Sequence, residues 1–356
     1  MVTEWAVPPD LRGRARPDRM FRVLGALITF YDWLTAAFSR RPPTRRVERD
    51  LSLVVKEVCV EAQGVRSVRL AAADGSALPR WQPGSHVDVL LPSGRCRQYS
   101  LCGDPADRSS YRIAVRRITD GGGSHELHDA VGVGSTLTVR GPRNTFPYVA
   151  APGYLFIAGG IGITPILPMV KQAAVSGAPW QLVYTGRSRA SMPFLDELTA
   201  LDPTRVRVRP YDEYGFPSSG AELLVYAPAG ATVYCCAPAA MIAGVRRDLA
   251  TSAAAAAHFE RFTRPPILDG VPFEIALQRS DRLLTVPADR TALEVIREAI
   301  PDVAYSCQQG FCGTCRTGVI SGAVDHRDRI LTDRERADTM TICVSRGRGG
   351  RIVLDR

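Results

Sequence analysis

Short apolar runs separated by turn residues follow one another from Val47 to about residue 150. They include SLVVKEVCVEA, HVDVLLPSG, YRIAVRRI and STLTVRG, and few helical patterns lie between them. Strands at this close spacing are typical of an antiparallel barrel or sandwich. The pattern therefore predicts a β-barrel domain over residues 47–149.

The pattern then changes to alternating strands and helices. The apolar run YLFIA leads into glycines and the helically spaced TPILPMVKQAAVSG, and WQLVYTG and ATVYCCAP are two further buried runs. A helix-like stretch follows each of these two, from Phe194 to Leu201 and from Ala240 to Ala257. Such alternation predicts a parallel α/β domain over residues 150–262.

A proline-containing stretch separates this domain from the last one. Arg264-Pro265-Pro266 marks a linker, which we assign to residues 263–272. The block 273–356 opens with the paired runs FEIALQRS and RLLTVP, followed by a helix with Leu293 and Ile296 on one face and then by a cysteine loop. The predicted fold class is thus multidomain, with β, α/β and α+β parts in that order.

Residues 1–46 form a separate N-terminal extension. Apolar side chains recur at helical spacing between Met20 and Phe38, and arginines flank this segment on both sides. A membrane-spanning helix is not expected, because Asp32 would cost roughly 3 kcal/mol near the bilayer centre. The favoured expectation is packing on the chain's own domains or on a sister subunit. There are two alternatives: the helix lies in the plane of a membrane surface, or it docks to a partner protein.

Composition and charge narrow the class of protein. The chain of 356 residues is 45% hydrophobic and 23% charged, which is typical of a soluble globular protein. Its net charge of +9 comes from arginines scattered among nearly as many acids, without a basic stripe interleaved with aromatics, so nucleic-acid binding is not expected. No secretory signal is recognised, and we expect a cytoplasmic protein in which clustered cysteines hold metal.

Four of the nine cysteines form a recognisable pattern. Cys307, Cys312 and Cys315 are spaced C-x4-C-x2-C, and Cys343 follows later. This is the plant-type 2Fe-2S spacing, whereas structural zinc sites usually pair two C-x2-C knuckles. Glycines within SCQQGFCGTC allow the backbone to turn around a cluster. The sequence therefore predicts a 2Fe-2S cluster, which requires both an electron donor and an electron acceptor.

The barrel carries a candidate flavin site. Arg97-Gln98-Tyr99-Ser100 supplies a cation for a phosphate, an aromatic ring and a hydroxyl at the end of one predicted strand. About 25 residues later, Gly121-Gly122-Gly123-Ser124 precedes the helix-like HELHDAV, and amide groups at a helix start bind anions. Taken alone, the residues of each motif are more often ordinary surface or core residues. The two motifs together predict flavin binding.

The α/β domain carries a candidate nicotinamide-nucleotide site. Gly159, Gly160 and Gly162 join a strand to a helix, where the backbone can approach a pyrophosphate near the positive end of the helix. This loop lacks the G-x-G-x-x-G spacing and by itself is consistent with a tight turn. Cys236 lies at the carboxyl end of a later strand, where ligands bind in α/β sheets, and Cys235 should point into the core.

The order of these motifs resembles the phthalate dioxygenase reductase and vanillate demethylase reductase family. The resemblance covers roughly residues 47–356 and includes GPRNTFP, HFERF, SCQQGFCGTC, DHRD and CVSR. It implies a barrel that binds FMN rather than FAD, an NAD domain and a C-terminal β-grasp ferredoxin. Ala237 departs from the family, which commonly has glycine in Cys-Gly-Pro, and the first 46 residues have no place in the family's minimal pattern.

The resemblance also implies roles for individual residues. Arg97 would contact the FMN phosphate with help from Ser124, while Tyr99 and Ser100 would line the flavin ring. Thr164 would lie near the reactive edge of the ring. Two further residues, Glu260 and Phe262, match an acid-x-aromatic element that closes over the flavin where nicotinamide enters.

The function implied is that of a reductase component, which takes a hydride from NADH onto FMN and passes single electrons through the cluster to a separate oxygenase or demethylase. The alternatives are an electron donor to a haem-thiolate monooxygenase or a membrane desaturase, and a non-enzymatic zinc or redox-sensing protein. Arg187 and Arg189 lie where the 2′-substituent of the coenzyme ribose is expected, which suits NADPH. The resemblance to the family, whose members commonly use NADH, nevertheless favours NADH as the coenzyme.

Overall fold

The computed structural model describes residues 23–24, 26–31, 50–118, 122–262, 267–305, 308–311 and 313–356. The chain divides into two compact units, Met1–Arg49 and Asp50–Arg356. In the first unit, residues 23–24 and 26–31 are helical, and the rest of the predicted helix from Met20 to Phe38 lies outside the described residues. No helix among the described residues is long and apolar enough to cross a membrane.

The second unit begins with a six-stranded antiparallel sheet. Its strands are β1 (Asp50–Ala62), β2 (Val65–Ala72), β3 (Ser85–Leu90), β4 (Cys96–Ser100), β5 (Tyr111–Arg116) and β6 (Thr136–Asn144), in the order β4-β3-β6-β1-β2-β5. A bridge between Leu101 and Ile113 joins the two outer strands just beyond β4, which curls the sheet towards a barrel. Alternate apolar residues of these strands fill its interior. Helix α1 (Gly122–Asp129) lies between β5 and β6.

A five-stranded parallel sheet follows. Its strands are β7 (Tyr154–Gly159), β8 (Trp180–Gly186), β9 (Val206–Pro210), β10 (Thr232–Cys236) and β11 (Ala256–Glu260), in the order β11-β10-β7-β8-β9. The connecting helices are α2 (Ile163–Ser176), α3 (Leu195–Thr199), α4 (Tyr211–Tyr214), α5 (Ala221–Leu224) and α6 (Ala239–Asp248). Because the strands are parallel, the residues that follow β7 and β10 meet at one edge of the sheet.

One predicted helix is wrong in its extent. The sequence predicted a helix from Ala240 to Ala257, but α6 ends at Asp248 and strand β11 begins at Ala256. Ala256 pairs with Thr232 of β10 in parallel register. Main-chain pairing at the sheet edge therefore outweighs the helix propensity of the alanine run.

The last part of the unit is a mixed sheet with one helix. Its strands are β12 (Phe273–Leu277), β13 (Arg282–Val286), β14 (Arg316–Ser321), β16 (Thr339–Thr341) and β18 (Arg351–Leu354), and β15 (Val324–Asp325) pairs with β17 (Arg346–Gly347). Helix α7 (Ala292–Ala299) is capped by Thr291, the residue before its first turn. The Thr291 side chain accepts a hydrogen bond from the Glu294 N–H in a capping box. The predicted combination of antiparallel, parallel and mixed α+β parts is confirmed.

Candidate flavin, nicotinamide and iron–sulfur sites

A cleft of about 810 Å³ lies where the barrel meets the parallel sheet. It contains most of the predicted flavin and nicotinamide residues, although they come from five separate stretches of the chain. Those that line it are Arg97, Tyr99, Ser100, Gly123, Ser124, Gly159, Gly162, Thr164, Cys236 and Phe262. Gly160, Arg187 and Glu260 lie outside its lining.

The phosphate end of the predicted flavin site is built by Arg97 and the start of α1. A Cβ atom on Gly123 would lie 3.0 Å from Cγ and Nε of Arg97, so the arginine side chain packs closely against this helix start. The adjacent Ser124 hydroxyl accepts a hydrogen bond from the Ile118 N–H at 3.1 Å. A guanidinium beside a helix start is suited to a phosphate.

The ring end is formed by the rest of β4. Tyr99 packs partly against the barrel core, and burial raises the pKa of its phenol. Ser100 is buried and lines the same cleft. Tyr99 thus offers an apolar ring surface and Ser100 a hydroxyl, as a bound isoalloxazine requires.

The glycine loop after β7 packs directly on the turn after β10. A Cβ atom on Gly162 would lie 2.2 Å from the Cys236 carbonyl oxygen, and one on Gly159 would lie 2.5 Å from Cδ of Pro238. Gly160 has φ +54°, which favours glycine. The contacts of Gly159 and Gly162 within the protein therefore require glycine before any ligand is considered. The neighbouring Thr164 is buried and donates to the Ile161 carbonyl at 3.0 Å.

Sequence reasoning missed Arg116 at the end of β5. Arg116 lines the cleft, and its Nη1 lies 3.3 Å from where a Cβ of Gly160 would be. Among the described residues it has no acidic partner, whereas Arg112 of the same strand pairs with Glu61 and Glu197. An unpaired guanidinium beside the glycine loop suits an anionic ligand. The RIAVRR pattern contains several arginines and gives no signal that selects this one.

Glu260 occupies the boundary between two smaller cavities. It lines both the cavity of about 380 Å³ next to the flavin cleft and a neighbouring one of about 340 Å³. Burial raises the pKa of its carboxyl to about 8. Its Oε2 atom has no hydrogen-bond partner within the described ranges. Glu260 is therefore expected to be largely protonated at neutral pH.

The two arginines considered for the coenzyme ribose differ in their surroundings. Arg187 follows β8 and is exposed, with its carbonyl accepting from the Asp212 N–H. Arg189 donates to Glu213 through Nε at 2.7 Å. The charge of Arg189 is thus already balanced by a carboxylate.

The cluster loop is only partly described, because Cys307 and Cys312 lie outside the described residues. Cys315 and Cys343 are both buried, and the Ile342 N–H donates to the Cys315 carbonyl, which brings these distant cysteines together. Gly310 and Gly313 have φ of 75° and 74°, as expected for a tightly turning loop. The sequence spacing of the four cysteines fits a 2Fe-2S cluster.

Comparison with protein families identifies two parts of the chain. Residues 51–148 match the oxidoreductase FAD-binding domain, and residues 275–347 match the 2Fe-2S iron–sulfur cluster binding domain. The first match covers the antiparallel barrel, and the second contains all four predicted cluster cysteines. The chain therefore contains a flavin-binding domain and a 2Fe-2S domain.

Comparison with whole proteins extends the similarity to most of the chain. The phthalate dioxygenase reductase of Burkholderia cepacia is 36% identical over 302 residues, which cover 83% of this chain and 94% of the relative. A solved phthalate dioxygenase reductase, described as a modular structure for electron transfer from pyridine nucleotides to 2Fe-2S, is 34% identical with a TM-score of 0.69, covering 86% of this chain and 98% of that one.

A second solved structure is an intact type IV self-sufficient cytochrome P450 monooxygenase. It is 37% identical with a TM-score of 0.69, and the match covers 90% of this chain but only 44% of the other. The same three-part arrangement therefore also occurs as one portion of a longer haem protein.

Proposed function

The chain belongs to the phthalate dioxygenase reductase family of oxidoreductases, and on this premise we propose that it transfers a hydride from NADH to FMN and single electrons through a 2Fe-2S cluster to a separate oxygenase. The observation that carries this proposal is the cleft of about 810 Å³ shared by the barrel and the parallel sheet. Such a cleft allows a flavin and a nicotinamide to stack on each other. The flavin, once bound, supplies the conversion of a two-electron donor into one-electron steps.

The residues of the cleft have distinct proposed roles. Arg97 and Ser124 hold the flavin phosphate, Tyr99 covers the ring, and Ser100 and Thr164 present hydroxyls to its reactive edge. The pyrophosphate of the coenzyme lies along the loop containing Gly159 to Gly162. Cys236 and Phe262 border the place where nicotinamide enters, with Gly122, Gly123 and Glu260 supporting these contacts.

FMN is the proposed flavin. The Arg97 side chain packs against Gly123 in the first turn of α1, so a cation and a helix start are close together. A terminal phosphate with two negative charges suits such a site. The family resemblance also implies FMN.

NADH is the proposed coenzyme. The Glu213 carboxylate, paired with Arg189, disfavours an additional 2′-phosphate beside it. Arg187 alone would remain to bind that phosphate.

The test uses the purified, cluster-loaded protein. Flavin released by acid is identified by chromatography, and anaerobic NADH is then mixed with the protein while the flavin and cluster absorbances are followed. We expect FMN, loss of flavin absorbance first, and cluster reduction second. Release of FAD, a preference for NADPH, or a cluster that NADH never reduces would each contradict the corresponding part of the proposal.

A haem-thiolate monooxygenase as electron acceptor is the second candidate, and the similarity to the self-sufficient cytochrome P450 favours it. Affinity capture from the native host distinguishes the two. A captured partner with a haem Soret band identifies the second candidate, whereas a partner with non-haem iron identifies the first.

For the N-terminal extension we propose attachment to an anionic membrane surface. The described apolar side chains of its helix, Val23, Leu24, Leu27, Ile28, Phe30 and Tyr31, are 48% to 65% exposed. Residues 1–46 also contain nine arginines and only four acidic residues. An apolar helix between arginine-rich flanks is complementary to anionic lipid.

Sedimentation with vesicles tests this attachment. The full chain should bind vesicles containing phosphatidylglycerol, bind pure phosphatidylcholine weakly, and be released by high salt. A variant lacking residues 1–46 should lose binding and retain NADH oxidation. Equal sedimentation of both forms would refute the proposal, and a dimer that becomes monomeric on truncation would assign the segment to a subunit contact instead.

A further inference from the structure

The end of the parallel sheet is joined to the cluster loop by two hydrogen bonds between one pair of residues. Nε of Arg261 donates to Oε1 of Gln309 at 3.0 Å. Nε2 of Gln309 donates in return to the main-chain carbonyl of Arg261. Because each residue both donates and accepts, the pair fixes the relative position of two backbone segments, 48 residues apart in sequence.

Each partner is adjacent to one of the two proposed redox sites. Arg261 directly precedes Phe262, which lines the flavin cleft. Gln309 lies between Cys307 and Cys312 in the cluster loop. The pair therefore connects the residue that borders the flavin to the loop that holds the cluster.

Two cavities lie next to the hydrogen-bonded pair Arg261 and Gln309. A cavity of about 380 Å³ lies here between the barrel and the cluster domain, and its lining includes Gln98, Tyr305 and Phe311. A second cavity of about 340 Å³ lies on the other side of Arg261 and Gln309. The reciprocal hydrogen bonds therefore span a part of the molecule that has a cavity on each side.

We propose that Arg261 and Gln309 form a latch that holds the cluster loop against the flavin cleft and so sets the rate at which electrons pass from flavin to cluster. The proposal rests on the proposed function. In the step concerned, one electron leaves the reduced flavin and enters the oxidised cluster, and no bond is formed or broken. Both residues are positioning residues, since they act through the geometry of the loop.

Three substitutions remove different numbers of the hydrogen bonds between Arg261 and Gln309. Gln309→Ala removes both hydrogen bonds, and Arg261→Ala removes only the one donated by the guanidinium. Gln309→Glu removes the amide donor but keeps an acceptor for Arg261. Arg205→Ala serves as the matched control, because this arginine pairs with Asp202 before β9, in a different part of the same domain.

Hydrogen exchange provides a readout that does not depend on turnover. In the cluster-loaded protein, Gln309→Ala should raise the exchange rate of amides in residues 308–316 about ten-fold, as expected for losing a charge-assisted and a neutral hydrogen bond. Arg261→Ala should raise it less, and Gln309→Glu least. The double variant Arg261→Ala/Gln309→Ala should match Gln309→Ala alone, because the residues act as a unit.

Rapid mixing with NADH gives the second readout. Gln309→Ala should leave flavin reduction unchanged and slow the following cluster reduction several-fold, whereas Arg205→Ala should change neither. Additive exchange effects in the double variant, or unchanged cluster reduction in Gln309→Ala, would overturn the latch. If NADH reduced neither centre in the wild type, the proposed function would fail, and the exchange series would still decide whether the latch exists.

Discussion

Cys236 and Glu260 stand opposite each other at the carboxyl ends of neighbouring parallel strands β10 and β11. Both side chains are removed from water here, and burial raises the pKa of each. Glu260 is therefore expected to be largely protonated at neutral pH, on the sheet edge that also carries the glycine loop after β7.

Glu260→Gln tests this protonation state. The folded-state pKa of about 8 exceeds the ordinary value of 4.5, so the folded protein binds more protons than the unfolded chain between these values. Wild-type stability should consequently fall as pH rises through this window. Relative to wild type, the variant should gain roughly 3–4 kcal/mol in unfolding free energy between pH 5 and pH 8, measured by urea unfolding. Parallel pH profiles of the two proteins would contradict the prediction.

Arg97→Ala should weaken FMN binding. Losing a charge-assisted contact to phosphate costs about 1.5–3 kcal/mol, which is ten-fold or more in Kd. Fluorescence titration of the flavin-free protein measures the change. Arg80→Ala, which removes an exposed arginine of the same barrel, is the control and should leave Kd unchanged. Equal FMN affinities of the two variants would show that Arg97 does not contact the flavin phosphate.

Glu213→Ala should shift coenzyme preference towards NADPH. The substitution releases Arg189 from its ion pair, so that both arginines after β8 can attract a 2′-phosphate. Because the pair is exposed, we expect kcat/KM for NADPH to rise only about two- to five-fold, with little change for NADH. Glu274→Ala breaks a similar exposed pair, with Arg351, and is the control. An unchanged NADPH value would place the ribose elsewhere.

Cys343→Ser should remove the cluster without removing flavin chemistry. The buried cysteine is one of the four predicted ligands, and serine does not supply a thiolate. We expect loss of the 2Fe-2S absorbance and of cytochrome c reduction, while NADH-dependent ferricyanide reduction, which needs only flavin, persists. Cys59→Ser alters a cysteine that contacts Glu57 on the barrel and should change none of these signals. Surviving cytochrome c reduction in Cys343→Ser would refute the proposed electron path.

The sequence alone was enough to predict features that depend only on residues close together in the chain. The spacing of Cys307, Cys312 and Cys315 identified the cluster because a 2Fe-2S core demands several thiolates on one short loop. The strand and helix periods gave the order of the three folded parts for a similar reason, since each period reflects burial along one element. Arg97 and Ser124 could be proposed from the sequence because each belongs to a short motif.

The tertiary structure decided which long-range pairs form. The strand YRIAVRRI contains several arginines, and only the packed fold shows that Arg112 is neutralised by two glutamates while Arg116 lines the cleft. The raised pKa of Glu260 arises from burial beside Cys236 of the neighbouring strand, a contact that no local sequence pattern encodes. The strand at Ala256 formed against the propensity of its alanines because β10 offered an unpaired edge. Hydrogen bonding and desolvation depend on neighbours that are distant in sequence, and folding alone brings them together.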